Sequence, residues 1–268
     1  MISEACAYED IRGWLNARCG ISYSDRKKDL LRLRLSRVMS RFNINSAKEL
    51  AGRLICRDSR EIQLAVLHAA STNHTYFFRE PQVLDVFRDQ ILPSLAGQRE
   101  LRIWSAAASS GDEAYTIAIL AAETLGRERA ASRVSILGTD ISAPMIERAE
   151  EGVYNANHLE KTQAHLIKRY FLPQGGEQFQ VSPDIRQMCT FRRMNLQARP
   201  YPFQRNFHVT FCRNVLYYFD RPHQISVLEN LYDVTEPGGW LLTSMTEQVR
   251  DLGTRWKPQG VGIYRKMA

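Results

Sequence analysis

This 268-residue sequence predicts an α/β protein, with a small all-helical N-terminal domain followed by a Rossmann-like, doubly wound parallel sheet. Two observations predict it. Residues 1–70 read as helix with no strand-like alternation, whereas beyond residue 100 short apolar strands alternate with amphipathic helices. A third refines it: residues 154–190 interrupt that rhythm and carry Gly-Gly and Pro turn signals, as a small inserted β-subdomain would. The expected division is therefore 1–70, a connecting segment 71–98, and 99–268 with the insertion inside it.

In the helical part, DRKKDLLRLRLSRVMSRF (25–42) sets Leu31, Leu35, Val38 and Phe42 at helical spacing, with Asp25 as expected N-cap. At about 100° per residue, Lys27, Arg34, Arg37 and Arg41 form a second stripe beside the apolar one. None of the four lies on the apolar face, so charge reversal at Arg34 and Arg37 is expected to spare folding. SAKELAGRLI (46–55) and SREIQLAVLHAA (59–70) each open on a cap-like serine and read as further helices.

Past residue 100, LRIWSA (101–106) reads as strand and DEAYTIAILAAETL (112–125) as helix. RVSILGTD (133–140) is the next strand, and SAPMIERAEEG (142–152) the next helix, with Ser142 as cap and Gly152 as stop. FHVTFCRN (207–214) is a strand and PHQISVLENLYDV (222–234) a helix, after which Pro237-Gly238-Gly239 turns the chain into the strand WLLTSMT (240–246). Within the insertion a helix followed by a hairpin at 172–181 is expected.

The composition, 44% hydrophobic and 24% charged, is that of an ordinary globular protein. MISEACAYED lacks the cationic start and apolar core of a secretory signal, and no apolar run approaches the roughly 20 residues of a membrane helix. Five cysteines, an odd number with no CxxC pair, predict reduced thiols in a cytoplasmic protein. No HExxH spacing occurs, so metal chemistry is not expected. The formal charge of +7 predicts an acidic partner without choosing between nucleic acid, an anionic surface and a protein.

The loop Ala106–Gly111 is built of small residues where the first strand meets a helix, which suits either a tight turn or close approach of backbone to a ligand. It is neither a GK[ST]-ending phosphate loop nor a GxGxxG dinucleotide loop. Asp140, at the end of the next strand, is placed to accept from ribose hydroxyls and equally to cap a helix. Glu113 suits a ligand ammonium or the helix dipole. In FCRNVLYYF (211–219), Arg213 and Asn214 at a strand's carboxyl end need solvent or a ligand, while Cys212 reads as a small buried hydrophobe. STNHTYFFRE (71–80) is too rich in aromatics and hydrogen-bonding side chains for a passive linker.

Taken in order, STNHTYFFRE, IWSAAASSGDEAYTIA, GTDIS, RRMNL, FCRNVLYYF and PGGWLL resemble the CheR family, S-adenosylmethionine-dependent methyltransferases that esterify glutamates of bacterial chemoreceptors. The resemblance spans nearly the whole chain. It implies a class I methyltransferase fold, S-adenosylmethionine as cofactor with S-adenosylhomocysteine as product, and no metal. It also implies a connecting segment that lines the active site. Asn73, Thr75, Arg79, Glu113, Asp140, Asn195, Leu196, Arg213 and Asn214 match the family's cofactor contacts. Arg79 and Tyr218 match the pair beside the transferring methyl, although Tyr217 and Tyr218 read equally as core aromatics. Asp112 and Ala114 stand where many members have Glu and Pro. SMTE (244–247) replaces a frequent Gly-His-Ser-Glu, with Glu247 retained. The hairpin at 172–181 is shorter than in members that dock a receptor's C-terminal peptide, which implies tether-independent recognition by a monomer.

The chemistry agrees with the residues. A glutamate, with a reference pKa of about 4.3, is anionic at neutral pH and needs no general base to attack a sulfonium methyl. It needs positioning, which a two-donor arginine such as Arg79 and a phenol such as Tyr218 supply. Two other functions are weighed. A nucleic-acid methyltransferase would carry a Pro-Pro-aromatic run, or a Pro-Cys nucleophile, where this chain has CRNV, and stacking aromatics among its basic residues. A non-catalytic adaptor that binds the cofactor as a signal would not need Arg79 and Tyr218. The stripe Lys27, Arg34, Arg37 and Arg41 is then either an ordinary solvated face or the docking surface for the receptor's cytoplasmic helices. Insertion into the membrane is not expected.

Overall fold

The computed structural model describes residues 4–56, 58–71 and 74–267. Four helices lead: α1 (Glu4–Cys19), α2 (Lys28–Arg41), α3 (Ala47–Ile55) and α4 (Arg60–Ala70). Their inward residues recur at three and four: Ile11 and Leu15, then Leu31, Leu35 and Val38, then Leu50 and Leu54, then Ile62 and Val66, all buried. Each such side chain contributes about 1.5–3 kcal/mol on burial. That core does not close on itself. It is continuous with Trp104, Leu228, Leu231 and Leu241, so the helices seal one face of the sheet.

Local capping departs from expectation at two places. Asp25 does not cap α2; it opens a 3-10 turn, Asp25–Lys27, and its carboxylate pairs with Lys28 at 3.0 Å and Arg12 at 3.3 Å. Phe42 lies beyond the end of α2 and is half-buried, with the Arg41 guanidinium over its ring. Ser46 does cap α3, accepting from the Glu49 amide, whereas Ser59 makes no such bond.

After α4 a helical run that sequence reading left unassigned crosses the connecting segment: α5 (Pro81–Val86), a π-turn (Phe87–Ile91) and α6 (Leu92–Ser94). Val83, Phe87, Ile91 and Leu92 are buried, and Phe87 meets Phe211 edge-on at 5.0 Å. Then come β1 (Leu101–Ser105), α7 (Asp112–Leu125), α8 (Arg127–Arg133), β2 (Val134–Asp140) and α9 (Ala143–Glu151). The insertion follows, with β3 (Val153–Asn155), α10 (Ala164–Tyr170), β4 (Phe171–Pro173), β5 (Gln178–Val181) and α11 (Pro183–Gln187). The chain ends with β6 (Cys189–Arg193), β7 (Phe207–Phe211), α12 (Arg221–Asp233), β8 (Thr235–Leu242), β9 (Lys257–Gly260) and β10 (Ile263–Arg265).

The main sheet runs β6-β2-β1-β7-β8-β10-β9. The first five strands are parallel, with Ile103 opposite Ile136 and Val209, and β10 is antiparallel to both neighbours. From β1 the chain builds outward to β2 and β6, then returns to β7 and β8 on the other side. The order therefore reverses between β1 and β7, and a crevice opens at their carboxyl ends. The strand expected at 240–246 instead spans Thr235–Leu242, with Pro237-Gly238-Gly239 absorbed as a register shift against β7. The strand expected to reach residue 214 stops at Phe211, and Arg213 and Asn214 leave the sheet into the crevice. Sequence reading assigned no strand at β6; it is an edge strand, and only Phe191 is fully buried there.

The insertion folds as the small sheet β3-β5-β4, a helix and hairpin joined by one more strand. It is tied to the crevice through Asp112, whose fully buried carboxylate accepts from Ser110 Oγ at 2.7 Å and from His158 Nδ1 at 2.6 Å. The His158 carbonyl in turn accepts the Phe77 amide at 3.1 Å, and the buried Phe77 ring packs edge-on against Tyr154 and Phe171. The Asp112 carboxylate raises the His158 pKa above its usual value, against the opposing effect of burial. A raised imidazole pKa stabilises the fold fully below the unfolded value, near 6.5, and the contribution is lost as pH rises through the folded value. Urea unfolding of wild type and His158→Gln should therefore differ by about 1.5–3 kcal/mol at pH 6, the range of a hydrogen bond to a charged group. The difference should shrink at pH 9, and a gap that is constant with pH would remove the ion pair from this account.

Candidate active site

The crevice is a cleft of about 950 Å³, part of it at an open mouth, and three parts of the chain wall it. The strand ends supply Ala106, Ala107, Ser109, Glu113, Asp140, Ile141, Met194, Asn195, Leu196, Arg213 and Asn214. The connecting segment supplies Ser71, His74, Thr75, Tyr76 and Arg79, and the helical part closes the rim with Cys19 and Ile21. Thus Thr75, Arg79, Glu113, Asp140, Asn195, Leu196, Arg213, Asn214 and Tyr218 come together in one cavity. Asn73 lies outside the described residues.

The loop from β1 is held by the strands beside it. Ala106 N bonds the Phe211 carbonyl and Ala108 N the Thr139 carbonyl, each at 2.8 Å. Ser109 adopts φ +48° and Gly111 φ +92°; a Cβ at Gly111 would lie 2.9 Å from that of Ala149, so a side chain there has neither the conformation nor the room. Asp140 accepts the amides of Ser109 at 3.0 Å and Ser142 at 2.9 Å, while Ser142 is the cap of α9. Burial raises the Asp140 carboxyl above its usual range, and those amides pull against it.

Arg213 is the centre of charge. Its side chain is 2% exposed, and it donates to Glu113 at 2.9 Å and to the Arg79 carbonyl at 2.6 Å, with Glu80 at 3.4 Å. Ser105 Oγ donates to the other oxygen of Glu113 at 2.7 Å. Arg79 donates to the His74 carbonyl at 2.7 Å, and among the described residues it forms no ion pair. The Tyr218 phenol accepts from Tyr217 at 3.3 Å. Asn195 lines the cleft, but its side chain bonds the Arg18 carbonyl at 2.8 Å and the Gln197 amide at 3.0 Å, joining α1 to the loop after β6. Glu247 accepts four backbone amides, from Asn214, Val215, Leu216 and Ser244, and so ties the SMTE turn to the loop after β7.

Two family descriptions cover the chain: CheR methyltransferase, SAM binding domain, over residues 73–261, and CheR methyltransferase, all-alpha domain, over residues 7–67. The chain belongs to the CheR methyltransferase family. It is 34% identical to a chemotaxis protein methyltransferase of Vibrio parahaemolyticus, over 93% of this chain and 92% of the relative. It is 36% identical to chemotaxis protein methyltransferase 2 of Pseudomonas aeruginosa, over 90% and 85%, and 34% identical to one of Borreliella burgdorferi, over 86% and 84%. This CheR-family chain is a protein methyltransferase that uses S-adenosylmethionine. The cleft fits that cofactor on its own evidence: Ser109 Oγ and Arg213 Nε are buried there without a hydrogen-bond partner, and small residues line the β1 loop. Among the described residues, no group of three or more His, Cys, Asp or Glu is gathered to hold a metal ion.

The basic stripe is less uniform than its spacing implied. Arg37 and Lys27 are exposed, Lys27 in the turn before α2, and Arg41 faces Glu61 at 3.6 Å. Arg34 is half-buried and donates to Tyr23 Oη at 3.0 Å and to the Ala70 carbonyl at 3.1 Å. Charge reversal at Arg34 is thus expected to disturb the end of α4, contrary to the sequence expectation. Arg34, Arg37 and Arg41 line a groove between α2, α4 and the start of α9 that meets the cleft at Ser71.

Sequence reading missed Glu80, Ser109 and the rim from α1. The proline at 81 marks Glu80 as a helix boundary, but nothing local points to its partners Asn214, Ser244 and Arg213. Asp140→Ala should weaken S-adenosylhomocysteine binding by about 1–3 kcal/mol, through the freed Ser109 and Ser142 amides and the loss of the ribose acceptors that the family resemblance implies. Titration calorimetry checks it, and an unchanged affinity would move the ribose contact elsewhere.

Proposed function

We propose that this enzyme methylates glutamate side chains in the helical cytoplasmic region of a membrane chemoreceptor, with Arg79 and Tyr218 acting on the accepting carboxylate. The observation that carries the reading is the division of charge in the cleft. Glu80 and Glu113 both serve Arg213, and Arg79 faces the same cavity without an acidic partner among the described residues. An incoming carboxylate completes the set.

When bound, S-adenosylmethionine supplies a methyl group on a positively charged sulfur. Thr75, Ser109, Glu113, Asp140, Arg213 and Asn214 would hold it, with Asn73, Asn195 and Leu196 completing the contacts that the family resemblance assigns. The chain needs no general base, because the substrate glutamate is already ionised at neutral pH. Arg79 presents two parallel donors to that carboxylate and Tyr218 one more, which fixes its approach and displaces water. The products are a glutamyl methyl ester and S-adenosylhomocysteine, and no metal takes part.

Exposed Lys27 and Arg37 steer an acidic receptor helix toward the groove that meets the cleft at Ser71, acting more on encounter and register than on affinity. The edge strands of the small sheet, β3 and β4, have three residues each and offer little edge for a peptide, which supports recognition without a receptor tether. No helix among the described residues is long and apolar enough to cross a membrane. The enzyme works as a cytoplasmic monomer on receptor, without inserting into the bilayer and without a nucleic-acid partner.

Transfer of tritiated methyl to receptor-enriched membranes, released by base as methanol, tests the ester. Arg79→Ala should lower kcat about 10- to 150-fold and Tyr218→Phe about 2- to 12-fold, the worth of a charged and a neutral hydrogen bond, with much smaller changes in cofactor affinity. Wild-type turnover in both variants would refute the assignment. Lys27→Glu with Arg37→Glu should raise the KM for receptor at low salt and lose that effect as salt screens the charges. Unaltered receptor kinetics would return the stripe to ordinary surface.

A further inference from the structure

Arg79 sits between two residues with left-handed backbones, Phe78 at φ +58° and Glu80 at φ +54°, ψ +70°. Each such conformation costs about 1–2 kcal/mol for a residue with a Cβ, and it persists only where the surroundings impose it. For Glu80 the surroundings are explicit. Its Oε1 accepts from Asn214 Nδ2 at 2.8 Å and Ser244 Oγ at 2.9 Å, and its Oε2 accepts from the Met245 amide at 3.2 Å and faces Arg213 at 3.4 Å. The Arg213 nitrogen that faces Glu80 also donates to the Arg79 carbonyl, at 2.6 Å. One carboxylate therefore joins the connecting segment to the loops after β7 and β8. Burial raises its pKa, but these partners outweigh burial and hold it below the usual carboxylate value.

We propose that Glu80 is a positioning residue for methyl transfer: by engaging Arg213, Asn214 and residues 244–245 it keeps its own charge off Arg79 and fixes where the Arg79 guanidinium stands. A glutamate directly beside the substrate-binding arginine is otherwise a built-in competitor for it, since an adjacent carboxylate mimics the group to be methylated. The left-handed turn at Glu80 removes that competition. The same turn ties the backbone carbonyl of Arg79 to a buried cation, so the side chain is presented from a fixed base. This also gives the SMTE turn a role, since Ser244 and Met245 are partners of Glu80.

The inference rests on the reading of Arg79 given above, and a double-mutant cycle separates the two. Glu80→Gln is isosteric but turns Oε2 into a donor facing the Met245 amide and Arg213. In the full chain with receptor-bearing membranes, it should lower kcat at least about tenfold while S-adenosylhomocysteine affinity stays within about threefold. In an Arg79→Ala background the same change should alter kcat less than about twofold, because its effect runs through Arg79. If Glu80→Gln leaves kcat unchanged, or lowers it equally in both backgrounds, the positioning role is overturned while the reading of Arg79 stands. Wild-type kcat in Arg79→Ala alone would overturn both. Should Glu80→Gln not fold, as thermal melting would show, Ser244→Ala removes one partner without a charge change. It should lower kcat about two- to tenfold, the worth of one hydrogen bond, and only where Arg79 is present; additive loss would again overturn the proposal.

Discussion

The buried guanidinium of Arg213 is the constraint around which the crevice is organised. A cation with 2% of its side chain exposed is tolerable only if paired, because desolvation costs several kcal/mol that one imperfect contact does not offset. Arg213 meets that demand with Glu113 from the first turn of α7, with Glu80 and with the Arg79 carbonyl. Two of those partners belong to the connecting segment. The segment must therefore lie across the strand ends, and Ser71, His74, Thr75, Tyr76 and Arg79 form a wall of the cleft.

Backbone strain gathers around the same point. Among the described residues, four of the five non-glycine positions with positive φ are Phe78, Glu80, Ser109 and Asn214, and all belong to the segment or the loops that meet at the crevice. Each is held by a specific bond: Phe78 N to Thr116 Oγ1, Glu80 to Asn214, Ser109 N to Asp140, and Asn214 N to Glu247. Such strain survives only where hydrogen bonds over-determine it, and here the pattern serves a reaction that depends on placement more than on proton transfer.

The helical part completes the site as well as flanking it. Ser22 N bonds the Tyr218 carbonyl at 2.7 Å, Ile21 bridges to Phe219, and His68 meets Ser142 at 2.6 Å just past Asp140. Burial and the nearby Arg148 and Arg41 lower the His68 pKa, so this contact is made by a neutral imidazole near pH 7. The helices that present a basic face outward thus also brace the residues around the cleft.

Much of this could be read from residues in isolation. Periodicity marked the helices and parallel strands, because burial of one face leaves a trace in the chain itself. Small residues, Glu113, Asp140 and Arg213 at strand ends marked the crevice, because open α/β sheets bind at those ends. Edge strand β6 was not readable, since a half-covered edge retains its polar residues. Helix 81–94 did carry a pattern, with Val83, Leu84, Phe87, Ile91 and Leu92 buried opposite exposed Gln82, Asp85, Asp89 and Gln90, but prolines at 81 and 93 bracket it as a loop would be bracketed. Arg34 shows the same limit. Its spacing placed it on a surface stripe, yet Tyr23 and the Ala70 carbonyl, distant in sequence, draw it inward. The partners of Glu80 come from residues more than a hundred positions away. Local chemistry specifies which groups the chain carries and the elements that carry them; that Arg213 is neutralised while Arg79 faces the cleft with no ion pair among the described residues is decided by contacts that exist only once the segment has folded over the sheet.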